Sequence, residues 1–202
     1  MLAVLPLLLA WLVAVISPGP DFLAVLRISA SRGRSAGLRV GLGVVCGIAC
    51  WATLAMCGLS ALLARYEHLY LVVRTVGAVL LIGYGVHVLW TARKAAPPEA
   101  LGTDVPGSGK YWRLGVFTNL ANPKALVFFG ALFATLMPRH EGATLRIGVL
   151  VVMLAMAVGW FAAVSWCAGS QPVITAYRRL QRTIDGIAGG LFTAIGITLV
   201  PR

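Results

Sequence analysis

Charged residues are scarce in this chain. Only 11% of its 202 residues are Asp, Glu, Lys or Arg, and just six of these are acidic. Apolar residues make up 59% of the chain and the mean hydropathy is +0.89, values far outside those of ordinary soluble domains. So little polar surface excludes a soluble globular domain, and the composition predicts an all-α integral membrane protein in a lipid bilayer.

The chain also has few residues that could support metal or covalent chemistry. None of its four cysteines forms a Cys-x-x-Cys pair, and its three histidines are isolated from one another. The apolar segments carry no His-Glu-x-x-His motif and no Ser and His pair of the kind that an intramembrane enzyme needs. We therefore expect no catalytic residues, no metal site and no cofactor.

The formal net charge of +11 does not indicate a nucleic-acid-binding protein. The basic residues lie in short segments between apolar runs, which leaves no soluble basic face for a duplex. They are more frequent in the first, third and fifth predicted loops, the fifth holding Arg178, Arg179 and Arg182. The positive-inside rule then places these loops in the cytoplasm and both termini outside.

Six apolar segments are long enough to cross the ~30 Å hydrocarbon core of a bilayer. They cover residues 2–30, 37–64, 71–90, 114–137, 147–168 and 184–200. A polar stretch separates the third from the fourth. The sequence therefore predicts a single membrane transport domain, with one three-helix repeat at 1–90, a cytoplasmic linker at 91–113 and a second repeat at 114–202.

Short similarities between the two halves predict a duplication. Residues 38–41 recur as 145–148, residues 20–21 as 123–124, and residues 74–76 as 182–184, in the same order and with nearly constant separation. Because each half has an odd number of spans, the two repeats must be inverted relative to each other. The glycine-rich second span leaves open whether its small-residue faces pack within one protomer or between two in a homodimer.

Two helix-breaking motifs interrupt the first and fourth spans. The first contains Pro18, Gly19, Pro20 and Asp21, and the second contains Asn122, Pro123 and Lys124. Proline is kept inside a membrane helix only where neighbouring groups satisfy the freed backbone. About ten residues lie between each break and one end of its span, so at ~1.5 Å per residue both breaks lie near the midplane. Such paired breaks indicate a central transport site.

Asp21 and Lys124 bring opposite charges to the two breaks, and a charge at the bilayer centre is costly unless it is paired. In a functional interpretation, Asp21 receives the ammonium group of a zwitterion. Lys124 and the amides at the start of its half-helix then receive the carboxylate. In the alternative, the two residues only form an ion pair. Asn119 and Asn122 could read a substrate side chain, although Asn122 could simply cap the broken helix.

Two further residues are candidates for the site. Asp185 is predicted at the start of the sixth helix, where a carboxylate either caps the helix or relays protons. Tyr84 lies between Gly83 and Gly85 and could stack on a ligand or only pack in the core.

At these motifs the chain resembles a known family. Residues 17–22, 118–125 and 184–186 look like signatures of the LysE/RhtB amino-acid exporter family, and the resemblance covers essentially the full length. It implies an inner-membrane protein that exports a small neutral amino acid, threonine or homoserine, coupled to the proton motive force. The alternatives are another amino acid such as lysine or leucine, or a different small solute.

Overall fold

The structure, a computed structural model, describes residues 4–65, 67–93, 110–133, 142–168 and 170–200, and this part of the chain is helical and contains no strand. The helices are α1 (Leu5–Ile16), α2 (Pro20–Arg32), α3 (Arg34–Arg65), α4 (Glu67–Arg93), α5 (Tyr111–Leu120), α6 (Pro123–Val127), α7 (Ala143–Cys167) and α8 (Gln171–Leu199). A π-helical segment, Phe128–Phe133, continues α6.

Several helices are long and apolar enough to cross a membrane. Among the described residues, Arg34–Met56 and Ala143–Cys167 meet both criteria on their own. The bent pair Leu5–Ile16 and Pro20–Arg32, with 45° between its halves, adds a third span if it is counted as one. The chain is therefore a multi-pass helical membrane protein, while the count of six spans stays a prediction.

Both predicted helix breaks are present. α1 ends at Ile16 and α2 begins at Pro20, while α5 ends at Leu120 and α6 begins at Pro123. In each case a proline occupies the first turn of the helix that follows. Its missing N–H costs nothing there, because first-turn amides have no partner within the helix. Each proline therefore starts a new half-helix directly after the break.

The predicted start of the sixth helix is wrong. α8 begins at Gln171, so Asp185 lies in its middle and cannot cap it, and Arg179 and Arg182 lie in a helix instead of a loop. The polar first half of α8 lacks a continuous apolar run. Arginine and glutamine are nevertheless good helix formers, and an apolar-run criterion misses them. α4 extends to Arg93 and α5 begins at Tyr111, and most of the predicted linker lies outside the described residues.

α3 is a central helix whose glycines let its neighbours approach closely, as predicted. The four residues are Gly37, Gly41, Gly43 and Gly47. A Cβ atom added at Gly41 would lie only 2.8 Å from Cβ of Phe161 in α7, and the other three would meet α2 or α5 at similar or shorter distances. The glycine faces of α3 thus pack against helices of the same protomer, and they no longer indicate a homodimer.

Candidate functional site

The two helix breaks face each other, and a lysine crosses from the second to the first. The Lys124 ammonium, in the first turn of α6, donates a 2.7 Å hydrogen bond from Nζ to the main-chain carbonyl of Ser17. Ser17 follows the last residue of α1, where carbonyls lack helical partners. A Cβ at Gly19 would lie 3.2 Å from Nζ, so the glycine in the first break makes room for the amine.

Asp21 is a buried carboxylate in the first turn of α2, with only 9% of its surface exposed. Its Oδ2 accepts two hydrogen bonds of 2.9 Å, from Nδ2 of Asn119 and from Nδ2 of Asn122. Both asparagines are 1% exposed and belong to the second break. The amide donors and the positive end of the α2 dipole stabilise a negative charge in this apolar setting.

The contacts across the site are therefore reciprocal. The acid of the first break is held by amides of the second, and the amine of the second break is held by a carbonyl of the first. Asp21 and Lys124 each bond to uncharged groups, so neither of these bonds is the simple ion pair that we considered from the sequence. Such bonds to neutral groups offset part of the cost of burial without tying the two charges together.

Asn122 has two roles at once. Its Oδ1 accepts a 2.9 Å hydrogen bond from the main-chain N–H of Lys124, which caps α6, while its Nδ2 donates to Asp21. The cap satisfies one of the unpaired amides of the helix start. That amide is therefore already bonded within the chain.

Two buried oxygens at the site have no hydrogen-bond partner among the described residues. They are Oδ1 of Asp21 and Oδ1 of Asn119. An unsatisfied buried acceptor costs about 1–3 kcal/mol, and more when it is charged. Asp21 and Asn119 both belong to the lining of one cavity, and Oδ1 of Asn119 also lies close to Gly47 of α3.

The cavity has a polar end and an apolar wall. Its polar lining consists of Ser17, Asp21, Asn119, Asn122 and Lys124. The wall is formed by Trp11, Ala14, Val15, Phe22, Ile48, Ala125, Phe128, Phe129 and Phe161. The cavity has a volume of about 30 Å³, and one water needs ~10–15 Å³ of such space. The cavity thus holds about two waters, and a larger solute requires the helices to separate.

Aromatic side chains close the cavity beside α1. The Trp11 ring packs against Phe128 and Phe129, with centroids 5.1 and 5.7 Å apart. Its indole Nε1 donates a buried 3.0 Å hydrogen bond to the carbonyl of Met153 in α7. This bond fixes the ring, so Trp11 connects α1 to α7 while it forms part of the wall.

The other sequence candidates lie around the cavity without lining it. Pro18, Gly19, Pro20 and Pro123 shape the two breaks. The Tyr84 ring packs against Phe192 with centroids 5.8 Å apart, which agrees with the packing alternative. Asp185 approaches the site from α8, where its Oδ1 accepts a 3.4 Å hydrogen bond from Oγ of Ser17.

Sequence reasoning missed Ser17 and the aromatic wall. Ser17 directly precedes the first proline, so its position at the end of a broken helix was the available signal. Ala14 and Val15 lie three and four residues after Trp11, the spacing that places side chains on a single helix face. A stripe of this kind indicates a buried face and does not distinguish a cavity wall from ordinary core.

The site can bind opposite charges at two separate points. An unbonded, buried carboxylate oxygen suits a cation with N–H donors, and an ammonium carries three donors that suit an anion. Among the described residues, no group of three His, Cys, Asp or Glu side chains could hold a metal ion.

Several known proteins are similar to this chain over nearly its whole length. The chain is 34% identical to the Threonine efflux protein of Escherichia coli (strain K12) over 191 residues, which cover 94% of this chain and 93% of the relative. It is 32% identical to the Threonine efflux protein of Salmonella typhi over the same shares. It is 25% identical to the Uncharacterized membrane protein YahN of E. coli, covering 94% of this chain and 85% of that one.

No solved structure gives a significant match to the chain. Residues 12–202 match the family described as LysE type translocator. With nearly the whole chain matched, and with relatives that are named as transporters and not as enzymes, the chain belongs to the LysE family of membrane translocators.

Proposed function

We propose that this chain exports a small neutral amino acid, threonine or homoserine, across the bacterial inner membrane in exchange for protons. The observation that carries the proposal is the buried, unbonded Oδ1 of Asp21 in a cavity that also holds the Lys124 ammonium. An amino acid presents both complementary groups, an ammonium and a carboxylate, on one carbon.

In this proposal the substrate ammonium bonds to Oδ1 of Asp21, with Oδ1 of Asn119 as a second acceptor. The substrate carboxylate draws the Lys124 ammonium away from the Ser17 carbonyl. Both charged groups of the substrate then exchange their contacts with water for contacts with protein groups that are already oriented, which limits the free-energy cost of desolvation. Asn119 and Asn122 keep Asp21 in place through Oδ2 throughout.

The lining favours a neutral side chain over a lysine side chain. Asp21 is the one acidic residue among those that line the cavity, and the remaining wall is apolar and aromatic. A second ammonium would lose its hydration there without gaining a counter-charge. The relatives named as threonine efflux proteins support threonine, and leucine remains the alternative that the apolar wall would tolerate.

The helix pairings support two inverted three-helix repeats with the site between them. α3 packs on α5, and α7 packs on α1 and α2; a two-fold axis relating the two repeats would exchange these two pairings. α4 packs on α8, and α3 packs on α7; the same axis would pass between the two helices of each of these pairs. Rocking of one repeat against the other around the two breaks would enlarge the small cavity. We place both termini in the periplasm, because the first and third predicted loops carry more basic residues than the second and the fourth.

Proton exchange provides the driving force. A zwitterion carries no net charge, so the membrane potential alone cannot drive its export. One proton entering in exchange contributes about 2.3 kcal/mol per 100 mV, enough for a gradient of roughly 40- to 50-fold. Asp21 carries the exchanged proton on the return step and binds the substrate ammonium on the export step.

Counterflow in proteoliposomes tests the proposal. Uptake of labelled threonine is measured against trapped threonine, homoserine, lysine or leucine, for the wild type and for Asp21→Asn and Lys124→Gln. We expect exchange with threonine and homoserine only, and its loss in both variants. Lys110→Gln, at an exposed position, and Asp104→Asn, in the predicted linker, are the matched controls and should exchange normally.

Other outcomes would be decisive in different ways. Exchange with lysine or leucine would overturn the proposed substrate. Exchange by folded Asp21→Asn at the wild-type rate would overturn the assignment of the ammonium site. Absence of exchange with every amino acid by folded wild-type protein would overturn the amino-acid cargo.

A further inference from the structure

We infer that the paired ends of α3 and α7 bind the headgroup of an anionic phospholipid, with the Arg34 guanidinium bonding to the lipid phosphate. The acyl chains of the lipid lie along the exposed apolar faces that continue from these two helix ends. None of the residues of this surface lines the cavity between the two helix breaks. The inference therefore does not depend on which solute the protein exports.

The Arg34 guanidinium lies against the indole ring of Trp166. Its central carbon is 4.6 Å from the ring centroid, within the range of a cation–π interaction. Trp166 is in the last turn of α7 and is 68% exposed, while Arg34 is the exposed first residue of α3. The Arg34 N–H groups have no hydrogen-bond partner among the residues that the structure describes. The ring restrains the planar guanidinium and leaves its donors available, which suits a bidentate contact with a phosphate.

Positive charge accumulates at this position without a compensating carboxylate. Arg32, Arg34 and Arg39 are all exposed, and no acidic residue occurs between positions 22 and 66. Within the described ranges, none of the three arginines forms an ion pair. Gly33, with φ of 89°, joins α2 directly to α3, so Arg32 and Arg34 flank a tight corner. The positive end of the α3 dipole lies at the same corner, and the surface therefore attracts an anion.

An exposed apolar face follows Arg34 along α3. Leu38 and Leu42, four and eight residues further on, share its side of the helix and are 39% and 42% exposed. Eight residues span about 12 Å at ~1.5 Å per residue, which is most of one leaflet of a ~30 Å hydrocarbon core. A cationic group followed by an apolar face of this length matches a phospholipid, in which acyl chains follow a phosphate.

α7 contributes a second exposed face. Ala163 and Gly159 lie one and two turns before Trp166 and are also exposed, and a Cβ at Gly159 would meet no atom within 4 Å. α3 and α7 pack closely here, since a Cβ at Gly41 would lie 2.8 Å from Cβ of Phe161. Because the two helix ends touch at the cation–π pair, the exposed faces that continue from them lie on one side of the helix pair. The small side chains of α7 leave space for an acyl chain beside the leucines of α3.

A phospholipid fits this surface better than a soluble anion does. Exposed tryptophans are typical of the membrane interface, so Trp166 places the Arg34 guanidinium at the level of the lipid headgroups. We place this end of the helices in the cytoplasm, and the cytoplasmic leaflet carries anionic lipids. One arginine near such a surface strengthens binding by about fivefold, whereas a zwitterionic headgroup offers no net charge to attract it.

Titration of the full-length protein in a neutral detergent with dioctanoyl phosphatidylglycerol tests the inference, with thermal unfolding as the readout. A ligand that binds the folded state raises the unfolding midpoint once its concentration exceeds the Kd. We expect a saturable rise with this lipid and little rise with dioctanoyl phosphatidylcholine. Arg34→Gln should weaken the apparent affinity for phosphatidylglycerol about fivefold. Arg34→Lys keeps the charge but loses the planar fork, and its affinity should lie between those of Arg34→Gln and the wild type.

Matched variants at the start of α5 control for charge and for the aromatic ring. Arg113 is another exposed arginine, and it has no ring contact among the described residues, so Arg113→Gln should bind the lipid like the wild type. Trp166→Leu removes the ring and keeps every charge. It should weaken the affinity about two- to fivefold, because the guanidinium is no longer restrained. Trp112→Leu, at a tryptophan that is 48% exposed, should have no effect.

Several results would overturn the inference. Equal stabilisation by phosphatidylglycerol and phosphatidylcholine would show that the surface does not recognise the charge of the headgroup. A loss of affinity in Arg113→Gln as large as that in Arg34→Gln would indicate attraction by net charge alone. A rise with glycerol phosphate equal to that with phosphatidylglycerol would indicate a soluble anion as the ligand. If Arg34→Gln does not fold, equal lipid affinities of Trp166→Leu and Trp112→Leu would contradict the site.

Discussion

Lys124 of the second broken helix donates its hydrogen bond to the carbonyl of Ser17, at the end of the first broken helix. The amine therefore closes a helix end that belongs to the other half of the chain. Asp21 is held by amides in the opposite direction, so each break is completed by the other. Neither break would be stable in an apolar environment on its own, because each leaves backbone or charged groups that only the partner satisfies.

Gly19→Ala tests how closely the lysine must approach the first break. Gly19 has an extended backbone, with φ of −174°, which alanine adopts readily. The added Cβ would lie 3.2 Å from Nζ of Lys124, so the amine must shift by a few tenths of an ångström. We expect a rise in the KM for threonine of about fivefold, or ~1 kcal/mol, with little change in thermal stability.

The control for this variant is Gly130→Ala, since a Cβ at Gly130 would meet no atom within 4 Å. Equal transport kinetics of the two variants in proteoliposomes would contradict the importance of the Lys124 position.

The two asparagines are expected to differ in their effect on stability. Asn119→Ala removes one hydrogen bond to the Asp21 carboxylate, a loss of about 1.5–3 kcal/mol. Asn122→Ala removes an equivalent bond and also the cap of α6, which adds about 0.5–2 kcal/mol. Thermal unfolding in detergent should therefore give a lower midpoint for Asn122→Ala than for Asn119→Ala.

Asn122→Ser separates the two losses, because serine keeps a capping oxygen but cannot reproduce the amide bond to Asp21. Its midpoint should lie between those of the wild type and Asn122→Ala. A midpoint as low as that of Asn122→Ala would show that the cap contributes nothing.

Much of this site could be predicted from residue type and position alone. Prolines within apolar segments predicted both helix breaks, and the scarcity of acidic residues made Asp21 a candidate for the site. The sequence could not show that Asp21 and Lys124 bond to neutral partners instead of each other, because that depends on how two distant helices are aligned. It also could not show that Asn122 serves two partners at once.

The predicted position of Asp185 was wrong for a different reason. The first half of α8 is polar, so the apolar pattern begins near Ile184 while the helix begins at Gln171. Helix formation there follows backbone propensity, whereas the predicted bounds followed hydropathy. Once the helix is extended, Asp185 moves from a helix end to the middle of α8, next to Ser17.

Gly47→Ala should disturb the site from outside the cavity. A Cβ at Gly47 would lie 2.7 Å from Oδ1 and 2.8 Å from Cβ of Asn119, too close for either helix to remain in place. We expect Asn119 to shift, its bond to Asp21 to weaken, and threonine counterflow to fall by about tenfold with a lower unfolding midpoint. Gly148→Ala on α7, with no atom within 4 Å of the new Cβ, should be neutral or stabilising by up to ~1 kcal/mol.

Trp11→Phe tests whether the bond between α1 and α7 fixes the cavity wall. Phenylalanine preserves an aromatic ring against Phe128 and Phe129 but loses the donor to the Met153 carbonyl. Hydrogen bonds between membrane helices contribute about 0.6 kcal/mol on average, and the smaller ring adds a packing loss. We expect a total destabilisation of about 1–2 kcal/mol, measured by thermal unfolding in detergent.

Trp112→Phe is the matched substitution at a tryptophan that is 48% exposed, and it should leave the unfolding midpoint unchanged within error. If the two variants shifted the midpoint equally, the Trp11 bond would have no special role. A shift confined to Trp11→Phe, with counterflow retained, would assign the indole a structural role beside the binding groups. Loss of counterflow out of proportion to the shift would instead make the orientation of the Trp11 ring part of substrate binding.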